Sequence, residues 1–349
     1  YKMSGGIAQL VAIGAQDAHI VGKPEVSFFR SNYKRHTNFA QTVEKQVIQG
    51  NPTANGMSTV RFERKGDLVG YVYITNRVAN TTLTRGNWEK QIAKVDLLVG
   101  GQVIDTQTSE FSQEIAPVML AQTYSKSLAA AGGNDSRFYP LRFSFCENAQ
   151  SALPLVALQY HDVELRITWG TGAGGGADAI ASDYEVHTQF IYLDTDERTT
   201  LANTPQNMLI TQTQKMVQSG SPTQELSFNH PVKFLATYKS GGVGVAGGNV
   251  KLQINGTDVG DAKHSVNYTS TALYHHTPFS TLNSSVQTHL LYPFCLDTAK
   301  LQPTGSLNFS RIDSARLLSD SGNFDTDIYA VNYNILRIEN GMAGLLYSN

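Results

Sequence analysis

Cysteine is scarce in this chain: two residues in 349 allow one disulfide at most and exclude a disulfide framework. Such usage points to a reducing compartment, with both thiols kept reduced in separate cores. No stretch approaches 18 consecutive apolar residues, so no membrane span is expected. Charge is also thin. Asp, Glu, Lys and Arg make up 16% of the chain, against about 25% in an average domain, and the formal net charge of −2 gives no electrostatic basis for direct nucleic-acid binding. The start, Tyr1-Lys2-Met3-Ser4-Gly5-Gly6, lacks the charged-then-apolar build of a signal peptide; residue 1 is not Met, so residues ahead of it are allowed for. Together these features read as a soluble intracellular product. A neutral-polar surface suits a protein that packs against copies of itself.

Motifs for chemistry are missing as well. There is no His-x-His, His-Glu-x-x-His or Cys-x-x-Cys for a metal, and no Gly-x-Ser-x-Gly for a nucleophile. Two glycine runs, 170–175 and 242–247, have dinucleotide-fingerprint spacing. That chemistry needs glycines opening a helix, so that backbone amides meet a pyrophosphate. Both runs join strands instead, and read as flexible loops. His275 and His276 adjoin, which on a strand would point them to opposite faces, and His161 reads as a polar strand residue. A carboxylate pair for glycoside hydrolysis can lie far apart in sequence, and nothing singles one out. The reading is a non-enzymatic protein with no catalytic residue, metal or cofactor.

What the chain does have is repetition. Residues 141–164 align without a gap on 290–313. Leu141, Phe145, Cys146, Pro154 and Leu158 then meet Leu290, Phe294, Cys295, Pro303 and Leu307. Upstream, 95–101 (Val-Asp-Leu-Leu-Val-Gly-Gly) lines up with 250–256 (Val-Lys-Leu-Gln-Ile-Asn-Gly). Two anchors in the same order imply two copies of one β unit, each able to bury its own core. Strands are expected at 60–62, 68–75, 95–99, 141–145, 163–169 and 184–194, and helical spacing at Phe111, Ile115, Val118 and Met119 with Pro117 in a first turn. Residues 1–25 lack a period and read as an arm; the first domain is 26–205 and the second 206–349, with a polar junction near 195–220. Short strands, frequent turns and few helices argue for all-β sandwiches.

The ends carry a specific resemblance. Gly5-Gly6, Gln9-Leu10, Gly14-Ala15-Gln16-Asp17, Phe28-Phe29, Tyr33 and Arg35-His36-Thr37-Asn38-Phe39 resemble the opening of the major capsid proteins of nucleocytoplasmic large DNA viruses. So do 138–143, Ala157-Leu158-Gln159-Tyr160-His161, Phe228-Asn229-His230-Pro231, and the tail Asn332-Tyr333-Asn334, Arg337, Gly341-Met342. The resemblance implies two tandem eight-stranded antiparallel jelly-roll sandwiches with short helices in loops. It further implies homotrimers that form pseudo-hexagonal capsomers of an icosahedral shell, assembled in the host cytoplasm, which contact neighbouring capsomers and minor capsid proteins beneath. On this reading Ile7, Leu10, Gly14, Gln16, Asp17 and Ile20 serve an assembly arm. Phe28, Phe29, Tyr33, Arg35, His36 and Asn38 open the first domain, and Asn332, Tyr333, Asn334, Arg337, Gly341 and Met342 form a C-terminal motif. The chain is shorter than most of the family, with outward loops reduced to 170–178 and 241–248. The alternatives are a minor capsid or penton-related component and, from another class, a glycan-binding jelly roll.

Overall fold

The computed structural model describes residues 6–76, 85–127, 138–172, 184–278 and 287–348. Tyr1–Asn38 and Phe39–Asn349 are separate compact units. In the first, helices Gly6–Val11 and Ala18–Val21 occupy a stretch expected to have no period. The turn between them is closed by Asp17, whose Oδ2 accepts the Gly14 N–H at 2.7 Å.

Among the described residues the second unit contains four antiparallel sheets. Sheet I runs Phe39–Gln46, Tyr184–Leu193, Leu68–Asn76, Phe138–Pro140, and sheet II runs Ile48–Gln49, Met57–Arg61, Val163–Trp169, Ile92–Val99, Gln102–Thr108. The C-terminal part repeats this order. Sheet III is Gln206–Met216, Ile328–Glu339, Pro231–Tyr238, His289–Pro293, and sheet IV is Thr223–Glu225, Ala315–Ser319, Asn249–Ile254, Thr257–Asp258. In each pair of sheets the first and last long strands are neighbours, which is the jelly-roll arrangement. Alternation explains the two-layer build: Val163–Trp169 buries every second residue, ending on Trp169, so one face of the strand meets the opposing sheet. The anchor at 95–101 and 250–256 is a true counterpart. Gly100-Gly101 and Asn255-Gly256 all have positive φ and close two-residue hairpins, Val99 opposite Gln102 and Ile254 opposite Thr257.

The other anchor needs correction. Only Phe138–Pro140 and Leu153–Pro154 are strands between 138 and 162; helical turns occupy Ser144–Glu147, Ala149–Ser151 and Leu155–Ala157. The segment crosses from one sheet to the other, and tight turns satisfy its backbone where no ladder is available. Leu153 pairs with Val69, and Leu307 with Val232. These two leucines are therefore the counterparts, not Leu158 and Leu307. Cys146 and Cys295 are both free and buried, but Cys146 lies in the first roll's core and Cys295 in a cluster between the rolls. Burial pushes both thiols up in pKa, away from the reactive thiolate.

Three further expectations change. The polar 195–220 text is a helix, Thr195–Asn203, followed by an 11-residue strand, Gln206–Met216. Asp194 caps that helix by accepting the Thr195 N–H, and Arg198 makes a two-point contact with Asp67 at 2.9 Å. His275 and His276 end a helix, Ala272–His276, rather than sitting on a strand, and His161 lies in the loop before Val163. The 242–247 run is a loop as expected, yet Val243 and Val245 are in the second core and Asp325 Oδ1 accepts the Gly244 N–H at 3.0 Å. In the other run only 170–172 fall within the described residues, and the loop expected over 173–178 lies outside them.

The cores are not separate. The first contains Trp88, Trp169, Tyr139 and Phe190, and also Ile210, Leu336, Ile338 and Ala343 from beyond the junction. The second centres on Phe228, Leu235, Leu252, Phe309 and Leu317.

Candidate assembly interface

The contact between rolls begins where Gln102–Thr108, the edge of sheet II, meets Gln206–Met216, the edge of sheet III. Asp105 is buried there and accepts the Thr213 N–H at 2.8 Å, the Thr106 N–H at 3.0 Å and Gln107 Nε2 at 3.0 Å. Gln107 also donates to the Arg142 carbonyl at 2.8 Å. Burial raises the Asp105 pKa to about 7, with Asp96 adding to the rise and the three donors opposing it. Gln212 donates to the Ile104 carbonyl and accepts from Asn334 Nδ2 at 2.9 Å. Gln214 Nε2 donates to Asn332 Oδ1 at 2.9 Å, and Asn334 Nδ2 also reaches the Tyr347 carbonyl at 2.9 Å. Polar side chains thus meet where two sheet edges abut, and their hydrogen bonds offset the cost of burial.

The strand Ile328–Glu339 explains the C-terminal motif. Ile328 and Ala330 lie in the second core, Asn332 and Asn334 at the polar seam, and Leu336 and Ile338 in the first core. One strand face therefore threads three environments at a period of two. Tyr333 is buried on the opposite face with Lys233 Nζ 5.3 Å from its ring centre; burial lowers the Lys233 pKa. Arg337 is a surface residue paired with Glu339 at 2.5 Å. Asn340-Gly341 turns the chain back with both φ positive, so that Met342 lies opposite Glu339. Met342 is 47% exposed. A Cβ on Gly341 would stand 2.8 Å from the Tyr160 ring, and Tyr160 N–H donates to the Gly341 carbonyl at 2.9 Å. His161 Nδ1 lies 2.9 Å from the Ala343 carbonyl. The Tyr160-His161 motif and the C-terminal turn, far apart in sequence, are one contact.

A second contact lies on sheet III's outer face. Helical residues 111–119 of the first roll cover Phe234, Ala236, Leu291, Tyr329 and Val331. Tyr329 Oη donates to Glu110 Oε2 at 2.6 Å, His289 Nε2 lies 3.1 Å from the Glu114 carbonyl, and Thr298 Oγ1 donates to the Met119 carbonyl at 2.6 Å.

The other expected site residues lie in the first unit and make few contacts. Leu10, Ile20, Phe28, Phe29 and Tyr33 are 75% to 101% exposed, and Gly14, Gln16, Arg35, His36 and Asn38 are exposed. The side chain of Ile7 lies outside the described residues. The buried polar seam, Asp105, Gln107 and Gln212, was not anticipated. Its only mark in the sequence is polar residues at inward strand positions. Among the described residues no group of three His, Cys, Asp or Glu could hold a metal, and no helix is long and apolar enough to cross a membrane.

Residues 27–194 match the family described as "Major capsid protein N-terminus", and 246–344 that described as "Large eukaryotic DNA virus major capsid protein". The chain is 35% identical to a major capsid protein of Pyramimonas orientalis virus, over 99% of this chain and all of the relative. It is 30% identical to that of Paramecium bursaria Chlorella virus 1 over the same shares. The chain also resembles the protein in the quasi-atomic structure of the PBCV-1 virus capsid, with a TM-score of 0.76 at 26% identity, covering 93% of this chain and all of the other.

Proposed function

Because the chain belongs to the family of major capsid proteins of large eukaryotic DNA viruses, we propose that it is the major structural subunit of such a shell. Three copies form a pseudo-hexagonal capsomer, and capsomers tile an icosahedral particle assembled in the host cytoplasm. The observation that supports this is the repeated strand order of the two rolls. A chain holding two similar rolls presents two similar sets of edges, so three chains offer the near-sixfold outline a hexagonal lattice needs. The mechanism is geometric: burial between subunits supplies the energy, and polar rims set the fit. Domains 26–205 and 206–349 are the tiling units. Residues 1–25 are the assembly arm, which docks through Leu10 and Ile20 onto neighbours or minor capsid proteins beneath the shell. The exposure of those side chains supports this role.

The test is light scattering on the purified chain followed by electron microscopy. A mass of about three chains and hexagonal tiles are expected; a single-chain mass in a folded preparation would overturn the reading. Removal of residues 1–25 should leave the trimer and stop ordered shells. Normal entry of the truncated chain into particles would refute the arm's role.

A further inference from the structure

Where residues 144–148 of the first roll lie against sheet III, a cavity of about 30 Å³ remains between the rolls. Ser144, Glu147 and Asn148 line it from the first roll, and Thr211, Lys233 and Tyr333 from the second. A water molecule takes up about 30 Å³ in the liquid. The space therefore admits one particle of that size and excludes a tetrahedral oxyanion such as sulfate.

The polar groups around it are mostly donors. Lys233 and Tyr333 are 2% and 7% exposed. Lys233 Nζ stands over the Tyr333 ring and donates to the Thr298 carbonyl at 3.0 Å, which uses one of its three N–H groups. Tyr333 Oη and Asn148 Nδ2 are buried and make no hydrogen bond. The Thr304 amide beside Tyr333 Oη is itself a donor, so the phenolic proton has no acceptor. Glu147 Oε2 is an acceptor that also lacks a hydrogen bond, but its carboxylate stands 3.7 Å from Lys126 and 3.5 Å from Arg142. Charge points the same way. Asp297 and Glu147 are the carboxylates that act on Lys233, and both have other cations, Lys300 standing 3.7 Å from Asp297. Lys233 itself makes no ion pair among the described residues. A buried cation without a counter-charge is costly.

We propose that this cavity is the binding site of a single halide-sized anion, chloride in ordinary buffers. Lys233 Nζ, Tyr333 Oη and Asn148 Nδ2 donate to it, and the charge of Lys233 is balanced by it. Asn148 belongs to the first roll and Lys233 and Tyr333 to the second, so the ion ties the two rolls of one chain together. The site exists only while the rolls are in contact. Binding therefore stabilises the folded chain in step with the logarithm of the anion concentration.

Thermal unfolding of the full chain, Lys233→Met and Tyr333→Phe tests this, with sodium chloride exchanged for sodium gluconate at constant ionic strength. Circular dichroism verifies that each variant is folded. The unfolding temperature of the unaltered chain should rise steadily with the logarithm of chloride concentration. Tyr333→Phe should need about 10-fold more chloride for the same rise, and Lys233→Met should show no rise. Crystals grown in sodium bromide should give an anomalous-scattering peak between Lys233 and Tyr333. Equal unfolding temperatures in chloride and gluconate overturn the proposal, and mean that water fills the cavity beside an uncharged Lys233. A rise that Lys233→Met retains also overturns it, because the ion would then act elsewhere. If Lys233→Met does not fold, Tyr333→Phe decides: a response equal to the unaltered chain's overturns the site, and a weakened one supports it.

Discussion

Both tryptophans, Trp88 and Trp169, pack in the first roll beside Tyr139 and Tyr184, whereas the second roll packs Phe228 and Phe294 edge to face against Phe309. The first core also takes Ile210, Leu336, Ile338 and Ala343 from beyond the junction, while among the described residues the second takes none from before it. In exchange the first roll covers the second's outer sheet face with residues 111–119. Topology has been duplicated and the interior has not. Each roll supplies what closes the other, so the pair packs as one compact unit although its sheets divide between Leu193 and Gln206.

The comparison breaks most directly at the borrowed residues. Leu336→Ala and Ile338→Ala should each cost about 2–5 kcal/mol. The loss should appear as faster amide exchange in Val163–Trp169 of the first roll, although both substitutions lie on a second-roll strand. Protection lost only within Pro231–Tyr238 would show that the first core does not depend on them. Positions on the outer faces of sheets III and I sharpen it next. Phe234→Ala, fully buried, should cost about 3–5 kcal/mol, whereas Tyr71→Ala in the isolated chain should stay near the ±0.5 kcal/mol of surface changes. Equal costs in chemical denaturation would mean that Tyr71 is as enclosed as Phe234.

A smaller effect tests the seam. The Asp105 carboxyl has its folded pKa raised from 3.8 to about 7, so the folded state holds the proton longer than the unfolded chain does. Its contribution is therefore most favourable below the unfolded value and is lost as pH rises through about 7. Melting temperatures from pH 5 to 8 should fall more steeply for the native chain than for Asp105→Asn. A steeper fall for the variant would contradict the assignment. The least effect is expected at the junction, where Arg198 is half exposed: Arg198→Ala should cost no more than about 1 kcal/mol, and a collapse of the second roll on its removal would be the surprise.

Sequence alone determined the local and periodic features. The hairpins at Gly100-Gly101 and Asn255-Gly256 were legible because positive φ and strand alternation are short-range demands that residue type reveals. The doubling of the β unit was legible for the same reason, as were the opening and closing motifs of the family. Residues 141–164 were misread because their hydrophobic spacing fits strand or helical turn equally, and only the crossing between sheets decides. The junction strand Gln206–Met216 was hidden because its inward residues include Gln212, whose partners, Ile104 and Asn334, lie far away in sequence. Tertiary structure alone could bring Tyr160 to Gly341 and Asp105 to Thr213, and could send one strand from the second core into the first. Burial is set by what stands opposite a side chain, and for these residues that neighbour comes from the other roll.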